Sequence, residues 1–139
     1  MAFLDDMATF IAAGSTAFTV YPSTGANLFK SHMPPEPDTC TTVYEQTGSS
    51  PTWTFSSTAP TYEHPRLQVI ARSTSYQTAR ANAELIYRML DRQVINSAPT
   101  TSAPVYLQIT AAHTPADAGT DANERDLVTC NFDVWKRRS

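Results

Sequence analysis

The hydrophobic period of the chain changes between residues 65 and 90, and this change limits the possible folds more than any other feature. Residues 66–72 alternate between apolar and polar, which places Leu67, Val69 and Ala71 on one face of a strand. Apolar residues then recur at helical spacing at Tyr76, Ala79, Ala83, Ile86, Tyr87 and Leu90. A strand that leads directly into an amphipathic helix predicts a domain in which a helix packs on a sheet.

The other patterned segments predict one more helix and four more strands. A helical apolar stripe ends at Gly14 and consists of Phe3, Leu4, Met7, Phe10 and Ile11. Strands are predicted at 28–33, 39–46, 105–110 and 127–135, and the inward residues of the last are Val128, Cys130, Phe132 and Val134. The second helix is predicted to be capped by Thr74 or Ser75, with Thr74 and Gln77 at capping-box spacing, and to end near Val94. This order indicates an α+β fold with a mainly antiparallel sheet of four to five strands and two helices packed on one face.

The length of 139 residues predicts a single domain that spans residues 1–139 around one core. Between the second and third strands, a Ser-, Thr- and Pro-rich segment predicts a long loop at about 48–64. Its Trp53 and Phe55 are candidate anchors for a partner, and packing over the chain's own sheet is the alternative. Residues 136–139 are predicted to form a flexible basic tail.

Charge is distributed unevenly along the chain. Residues 1–65 contain six acidic residues and one basic residue, a net charge of −5, whereas residues 66–139 contain seven acidic and nine basic residues, a net charge of +2. The two parts together give the net charge of −3. Because a duplex-binding protein concentrates more basic residues on one face, nucleic acid is not expected to be the main ligand.

No motif in the chain predicts catalysis, a metal site or a cofactor. The three histidines lie apart, a GxSxG elbow is missing, and four glycines are too few for a phosphate-binding loop. The carboxylates Asp117, Asp121, Glu124 and Asp126 lack EF-hand spacing, so a solvated turn is favoured over a calcium site. Cys40 and Cys130 are expected to be buried as small apolar residues, with a disulfide as the alternative. The chain is therefore not expected to be an enzyme or to hold a cofactor.

No apolar run approaches the roughly 20 residues that span a bilayer. The first fourteen residues carry two aspartates and no basic segment, which is unlike a signal peptide. A soluble protein made in a cytoplasm is expected, with no membrane partner.

Three segments, in this order and spacing, resemble a family of bacteriophage minor capsid proteins, the tail terminators. The central segment is 65–90, with Pro65 to Ser75, Tyr76 and the helix that contains Leu90. The turn Gly119-Thr120-Asp121-Ala122-Asn123-Glu124-Arg125 resembles the Gly-x-Asp-x-x-Gly-Arg turn of that family, with Glu124 at the position of the second glycine. Residues 28–34 followed by 42–45 resemble the first hairpin of the family. The resemblance covers about residues 25–135.

What the resemblance implies is a structural virion protein of a long-tailed phage or a related particle. Tail terminators cap the finished tail tube, stop its polymerisation and provide the head–tail joining surface, usually as hexameric rings. The implied partners are other copies of the chain, the tail tube protein and a head-side neck protein, while DNA passes through the lumen without specific binding. The implied location is the tail–neck junction of the virion, after assembly in the host cytoplasm. A head-side completion or stopper protein of the neck is the alternative, and a small ligand-binding module or enzyme is a third.

A closed ring needs a head-to-tail interface with two different complementary patches. The uneven charge suggests that the acidic N-terminal half of one subunit meets the arginines of residues 66–92 in its neighbour. Asp121 and Arg125 are expected to form a salt bridge, either within the turn or across a subunit boundary. The candidate residues for contacts with subunits or partners are Arg66, Arg72, Arg80, Arg88, Asp121, Arg125, Trp53 and Phe55.

Overall fold

A computed structural model describes residues 2–52, 62–91 and 106–137. These residues form two helices and six strands, in the order α1 (Ala2–Gly14), β1 (Leu28–Lys30), β2 (Cys40–Thr52), β3 (Tyr62–Ser73), α2 (Tyr76–Leu90), β4 (Tyr106–Ala111), β5 (Ala116–Thr120) and β6 (Asp126–Arg137). The predicted α+β class is confirmed, and the sheet has one strand more than the four to five expected.

The long strands β3 and β6 pair at the centre of the sheet, whose order is β1-β2-β3-β6-β4. β4 pairs with the second half of β6 and β5 with the first half, so β4 and β5 follow each other along the same edge. All pairs are antiparallel except β1 with β2, where Leu28 lies opposite Thr41 and Lys30 opposite Val43. The expected first hairpin is therefore wrong, because the 31–39 loop returns the chain to the same end of the sheet before β2 begins.

The core lies between the helices and one face of the sheet. α1 packs over β1 and β2, and α2 packs over β3, β6 and β4. The predicted inward residues of β3 and β6 are all buried, namely Leu67, Val69, Ala71, Val128, Cys130, Phe132 and Val134. Where α2 begins, Ala71, Ala79, Ala83 and Val128 form a separate small cluster. These small side chains allow the helix to approach the sheet closely.

The predicted ends of α2 differ from the observed ones. Ser75, one of the two predicted caps, is the N-cap residue, but its side chain makes no capping hydrogen bond. The Thr74–Gln77 capping box is therefore wrong. The backbone N–H of Ser75 instead donates to Ser73 Oγ at 3.2 Å. The helix ends at Leu90, before the predicted Val94, and Asp91 Oδ1 accepts a hydrogen bond from the Ala111 backbone N–H at 2.9 Å. That bond ties the end of α2 to β4.

Three strands occupy sequence that was predicted to be loop or tail. β2 continues to Thr52 and β3 begins at Tyr62, so residues 48–52 and 62–64 of the predicted loop belong to strands, and residues 53–61 lie outside the described part of the chain. β6 continues to Arg137, since Lys136 pairs with Glu63 in the ladder, which corrects the predicted tail from 136. β5 lies in the stretch predicted to be a long turn; all five of its residues are exposed, so the sequence shows no alternating apolar pattern there.

Candidate interaction surfaces

Two buried arginines hold the 31–39 loop. Arg72 in β3 is 3% exposed and donates to the carbonyl of Pro37 at 2.6 Å and to that of Asp38 at 3.2 Å. The Arg125 side chain is 7% exposed and donates to the Pro35 carbonyl at 2.6 Å and to Asp38 Oδ1 at 3.1 Å. A proline-rich segment makes few backbone hydrogen bonds of its own, so the guanidinium groups supply donors for its carbonyls. We call this arrangement the arginine clamp.

The turn before β6 positions the second arginine of the clamp. Asp121 Oδ1 accepts the backbone N–H groups of Asn123 and Arg125, each at 2.9 Å, and Asp121 Oδ2 accepts Arg125 Nε at 2.9 Å. The salt bridge expected between Asp121 and Arg125 therefore lies within the turn of one chain. Glu124 has a φ of 60°, a left-handed conformation that glycine adopts without steric cost. Glu124 stands where the family turn has its second glycine, and its backbone has the conformation that glycine favours.

The same turn stabilises the charged form of Asp121. The backbone N–H of Arg125 is the largest cause that lowers the pKa of the Asp121 carboxyl from its ordinary value of 3.8. The N–H of Asn123 and the charge of Arg125 act in the same direction, whereas partial burial opposes them. Hydrogen bonds to a carboxylate favour its ionised form. The turn and the clamp therefore depend on Asp121 being deprotonated.

The outer face of α2 carries a row of charged side chains and one exposed leucine. Glu84 lies 3.3 Å from Arg80 and 3.6 Å from Arg88, which stand one helical turn before and after it. Arg80 also donates to the Tyr76 hydroxyl at 3.3 Å. The side chain of Arg88 is 78% exposed, and the neighbouring residue Leu85 is 43% exposed. Exposed ion pairs add little stability, so these charges are available for contacts outside the chain.

The sheet face opposite the helices is polar. Arg66 Nε lies 3.0 Å from Asp133 Oδ1, and both side chains are about half exposed. Gln46 Nε2 donates to Gln68 Oε1 at 2.9 Å on the neighbouring strands. These pairs connect β2, β3 and β6. Arg66, which was predicted to contact another subunit or a partner, forms an ion pair with Asp133 of its own sheet.

An apolar groove lies at the β1 edge of the sheet, where the sequence predicted only turns and a short strand. It measures about 290 Å³ and is lined by Tyr21, Phe29, Lys30, His32 and Pro34. The rings of Tyr21 and Phe29 are 5.7 Å apart, and Tyr21 is 59% exposed. We call this the aromatic groove. The sequence signal for it is weak, because the two aromatic residues are separated by a turn.

The predicted contact residues fall into three groups. Arg72, Arg125 and Asp121 are held inside one chain by the clamp and the turn. Arg66, Arg80 and Arg88 lie on the surface and have nearby carboxylates. Trp53 and Phe55 lie outside the described residues. A contact with subunits or partners stays a prediction for all of them.

Histidine and carboxylate side chains do not gather into a metal site in residues 2–52, 62–91 and 106–137. His64 packs edge-on against Trp135 with the ring centroids 4.3 Å apart. His113 Nδ1 lies 2.6 Å from the Thr114 carbonyl, and Asp117 Oδ1 accepts the Gly119 N–H. Among the described residues, no helix is long and apolar enough to cross a membrane.

Both cysteines are free and buried, as expected, and no disulfide joins them. Cys130 faces the helices, whereas Cys40 pairs in the ladder with Arg72 and lies beside the clamp. Burial raises the pKa of the Cys130 thiol to about 11 and also raises that of Cys40. Both groups are therefore protonated and unreactive near neutral pH.

Comparison with known proteins identifies the family. A family model described as bacteriophage tail terminator protein matches residues 12–135. The chain belongs to the bacteriophage tail terminator family. This tail terminator is thus a structural phage tail protein that binds other phage structural proteins, and its family is not an enzyme family.

The fold of this tail terminator also resembles chains of solved structures. One is described as "Virion of native gene transfer agent (GTA) particle"; it matches with a TM-score of 0.56 at 12% identity, over 92% of this chain and 84% of that chain. At this identity the match concerns the fold alone. A comparison with curated protein sequences gives no significant match.

Replacement of Arg125 by Met should lower the free energy of unfolding by about 1.5–3 kcal/mol, because hydrogen bonds of a buried charged group are lost. The matched control is Arg66→Met, which removes a half-exposed pair and should cost less than about 1 kcal/mol. Urea unfolding followed by circular dichroism measures both values. Equal losses for the two variants would contradict the structural role of the clamp.

The lowered pKa of Asp121 predicts a loss of stability in acid. Its contribution is fully present above the unfolded value near 3.8 and disappears as the pH falls through the lower folded pKa. The Asp121→Asn variant should be less stable than the wild type at pH 6, and its stability should fall less steeply below pH 4. Unfolding free energies measured from pH 2 to pH 7 test this, and parallel curves for the two proteins would refute it.

The Glu124→Gly variant should be more stable than the wild type by up to about 1 kcal/mol. A left-handed residue with a side chain costs about 1–2 kcal/mol, and the extra freedom of glycine in the unfolded chain offsets part of that gain. Glu124→Ala keeps the β-carbon and is the control that should bring no gain. Thermal unfolding measures the three proteins, and a larger gain for alanine than for glycine would show that the backbone conformation is not responsible.

Proposed function

We propose that the protein caps the tail tube at its end, stops further polymerisation and provides the surface for head–tail joining. The observation that carries this proposal is the family match, which extends over residues 12–135 and so includes both helices and all six strands in whole or in part. The resemblance of the fold to a chain of a gene transfer agent virion supports a position in a phage-like particle. The family match favours this role over a head-side stopper.

The active form in this proposal is a ring of six copies at the tail–neck junction. A ring needs two different patches on each copy, placed so that one meets the other in the next subunit. The aromatic groove at the β1 edge and the outer face of α2 are two such different surfaces. DNA passes through the lumen of the ring, and the tube protein and a head-side neck protein bind its two ends.

Charge in this ring is contributed mainly by the outer face of α2. Within the described residues, Arg72 and Arg125 are buried and Arg66 has Asp133 beside it, which leaves less free positive charge than the sequence suggests. Arg80 and Arg88 share one carboxylate, Glu84, so this face has a net positive charge. The acidic N-terminal part of a neighbour is a suitable counterpart.

The mass and location of the protein test the proposal. Six copies of 15.3 kDa give about 92 kDa, which is the mass expected from light scattering of the free ring. Gold-labelled antibody against the chain should mark the tail–neck junction of virions in electron micrographs. Label along the tube or on the head shell would refute the capping role, and a single copy bound at each tube end would refute the ring.

A further inference from the structure

We infer that residues 31–39 form a strap that detaches from the sheet while the rest of the domain stays folded, and that the arginine clamp determines how often it opens. The closed strap supplies His32 and Pro34 to the aromatic groove, so the groove is complete only when the strap is closed. The inference concerns a single chain and does not depend on the proposed ring.

The backbone of the strap contributes little to its own attachment. At its start, the Ser31 N–H donates to the Val43 carbonyl at 2.9 Å. With the described part of the chain, residues 32–39 form no backbone-to-backbone hydrogen bond, and three of these eight residues are prolines, which have no N–H to donate. Six of the nine strap residues are exposed, so few apolar contacts add to the attachment. A segment with these properties opens easily unless side chains hold it.

The arginine clamp is the strongest attachment of the strap. Its two guanidinium groups bind three backbone carbonyls of the strap and the Asp38 carboxylate. Hydrogen bonds from a charged donor are stronger than those between neutral groups. The other polar contacts are neutral: Thr39 Oγ1 lies 3.0 Å from Ser73 Oγ, and the backbone of Met33 lies within hydrogen-bonding reach of the Tyr44 hydroxyl. Loss of the clamp therefore favours the open strap.

The elements around the strap are held in place without it. Arg72 belongs to the ladder of β3 with β6, and Arg125 is fixed by Asp121 in its own turn. β1 pairs with β2, and β2 pairs with β3 from Cys40 onward. Opening of the strap thus breaks the clamp contacts and leaves the sheet and the core intact.

The two cysteines are natural reporters for the two kinds of opening. Cys40 directly follows the strap and is buried, although it belongs to neither apolar cluster of the core. Burial raises the pKa of its thiol and the charges of Arg72 and Arg125 oppose this rise, which places Cys40 beside the clamp. Cys130 is equally buried but lies in the main core cluster. Opening of the strap exposes Cys40, whereas Cys130 becomes exposed only when the domain unfolds.

Labelling with N-ethylmaleimide compares the two thiols in urea concentrations below the unfolding transition, and mass spectrometry of peptides assigns the label. Without urea, Cys40 should react roughly tenfold faster than Cys130 or more, because partial opening costs less than global unfolding. Its rate should change little with urea, since the open strap exposes little new surface, whereas the Cys130 rate should rise steeply. Equal rates with the same urea dependence would overturn the inference.

Two variants separate the strap from the core. Arg125→Met should speed the labelling of Cys40 by roughly tenfold or more, because the bonds of a charged donor are lost. It should also speed that of Cys130, since the unfolded chain lacks the clamp as well. Ile86→Val changes the core under α2 and should speed only Cys130, by roughly two- to tenfold. An unchanged Cys40 rate in Arg125→Met, or equal acceleration of both thiols by Ile86→Val, would show that the strap does not open separately.

The matched control for the clamp variant is Arg66→Met. Arg66 lies on the same face of the sheet as Arg72, and its carboxylate partner is Asp133 in β6. Its replacement removes an arginine of the same kind without touching the clamp, so the Cys40 labelling rate should stay at the wild-type value. Acceleration of Cys40 as large as that in Arg125→Met would show that the clamp does not control the strap.

Discussion

The pairing of β3 with β6 is the interaction on which the rest of the structure depends. It joins two twelve-residue strands that lie far apart in the sequence, and its inward side chains form the floor of the core. β2 attaches to one side, β4 and β5 attach to the other, and α2 packs across both strands. A long antiparallel ladder with one apolar face requires a cover on that face only, which the two helices supply. The polar face stays free for pairs such as Arg66 with Asp133.

The turn of Asp121 and Arg125 was a candidate contact site, and the arginine clamp gives it a structural role in this chain. Asp121 holds Arg125 within the turn, and Arg125 reaches across to Pro35 and Asp38, nearly ninety residues earlier. Arg72 binds the same segment from β3. A proline-rich loop cannot be held by a ladder, because proline lacks the N–H donor, so charged side-chain donors hold it instead. The loop that they hold contributes Pro34 to the aromatic groove, so the clamp also shapes that surface.

A protein of this family acts by binding other proteins, and in this fold the candidate binding surfaces lie around one sheet. The core consists of buried residues on the helix side, while the aromatic groove lies at the β1 edge and the outer face of α2 lies above the central strands. Rigid placement matters for a ring, because a small error in the angle between two patches accumulates around the circle and prevents closure. In the proposed ring, the sheet sets this angle and the exposed side chains determine which surfaces meet.

The elements with a repeating apolar pattern could be predicted from the amino-acid sequence. Alternation in residues 66–72 and 127–135 comes from burial of one face, and the predicted inward residues of both strands are buried. In the helical stripe, Ala79, Ala83, Ile86 and Leu90 are buried, whereas Tyr76 is exposed and Tyr87 is half-buried. The tail terminator resemblance also came from sequence order alone. The features without such a repeat became visible in the folded chain alone. These are the exposed β5, the parallel β1, the clamp that buries Arg72 and Arg125, and the groove between Tyr21 and Phe29. The physical reason is that periodicity records which side of a local element is buried, whereas strand pairing, buried arginine contacts and surface concavities depend on residues that meet only after the chain has folded.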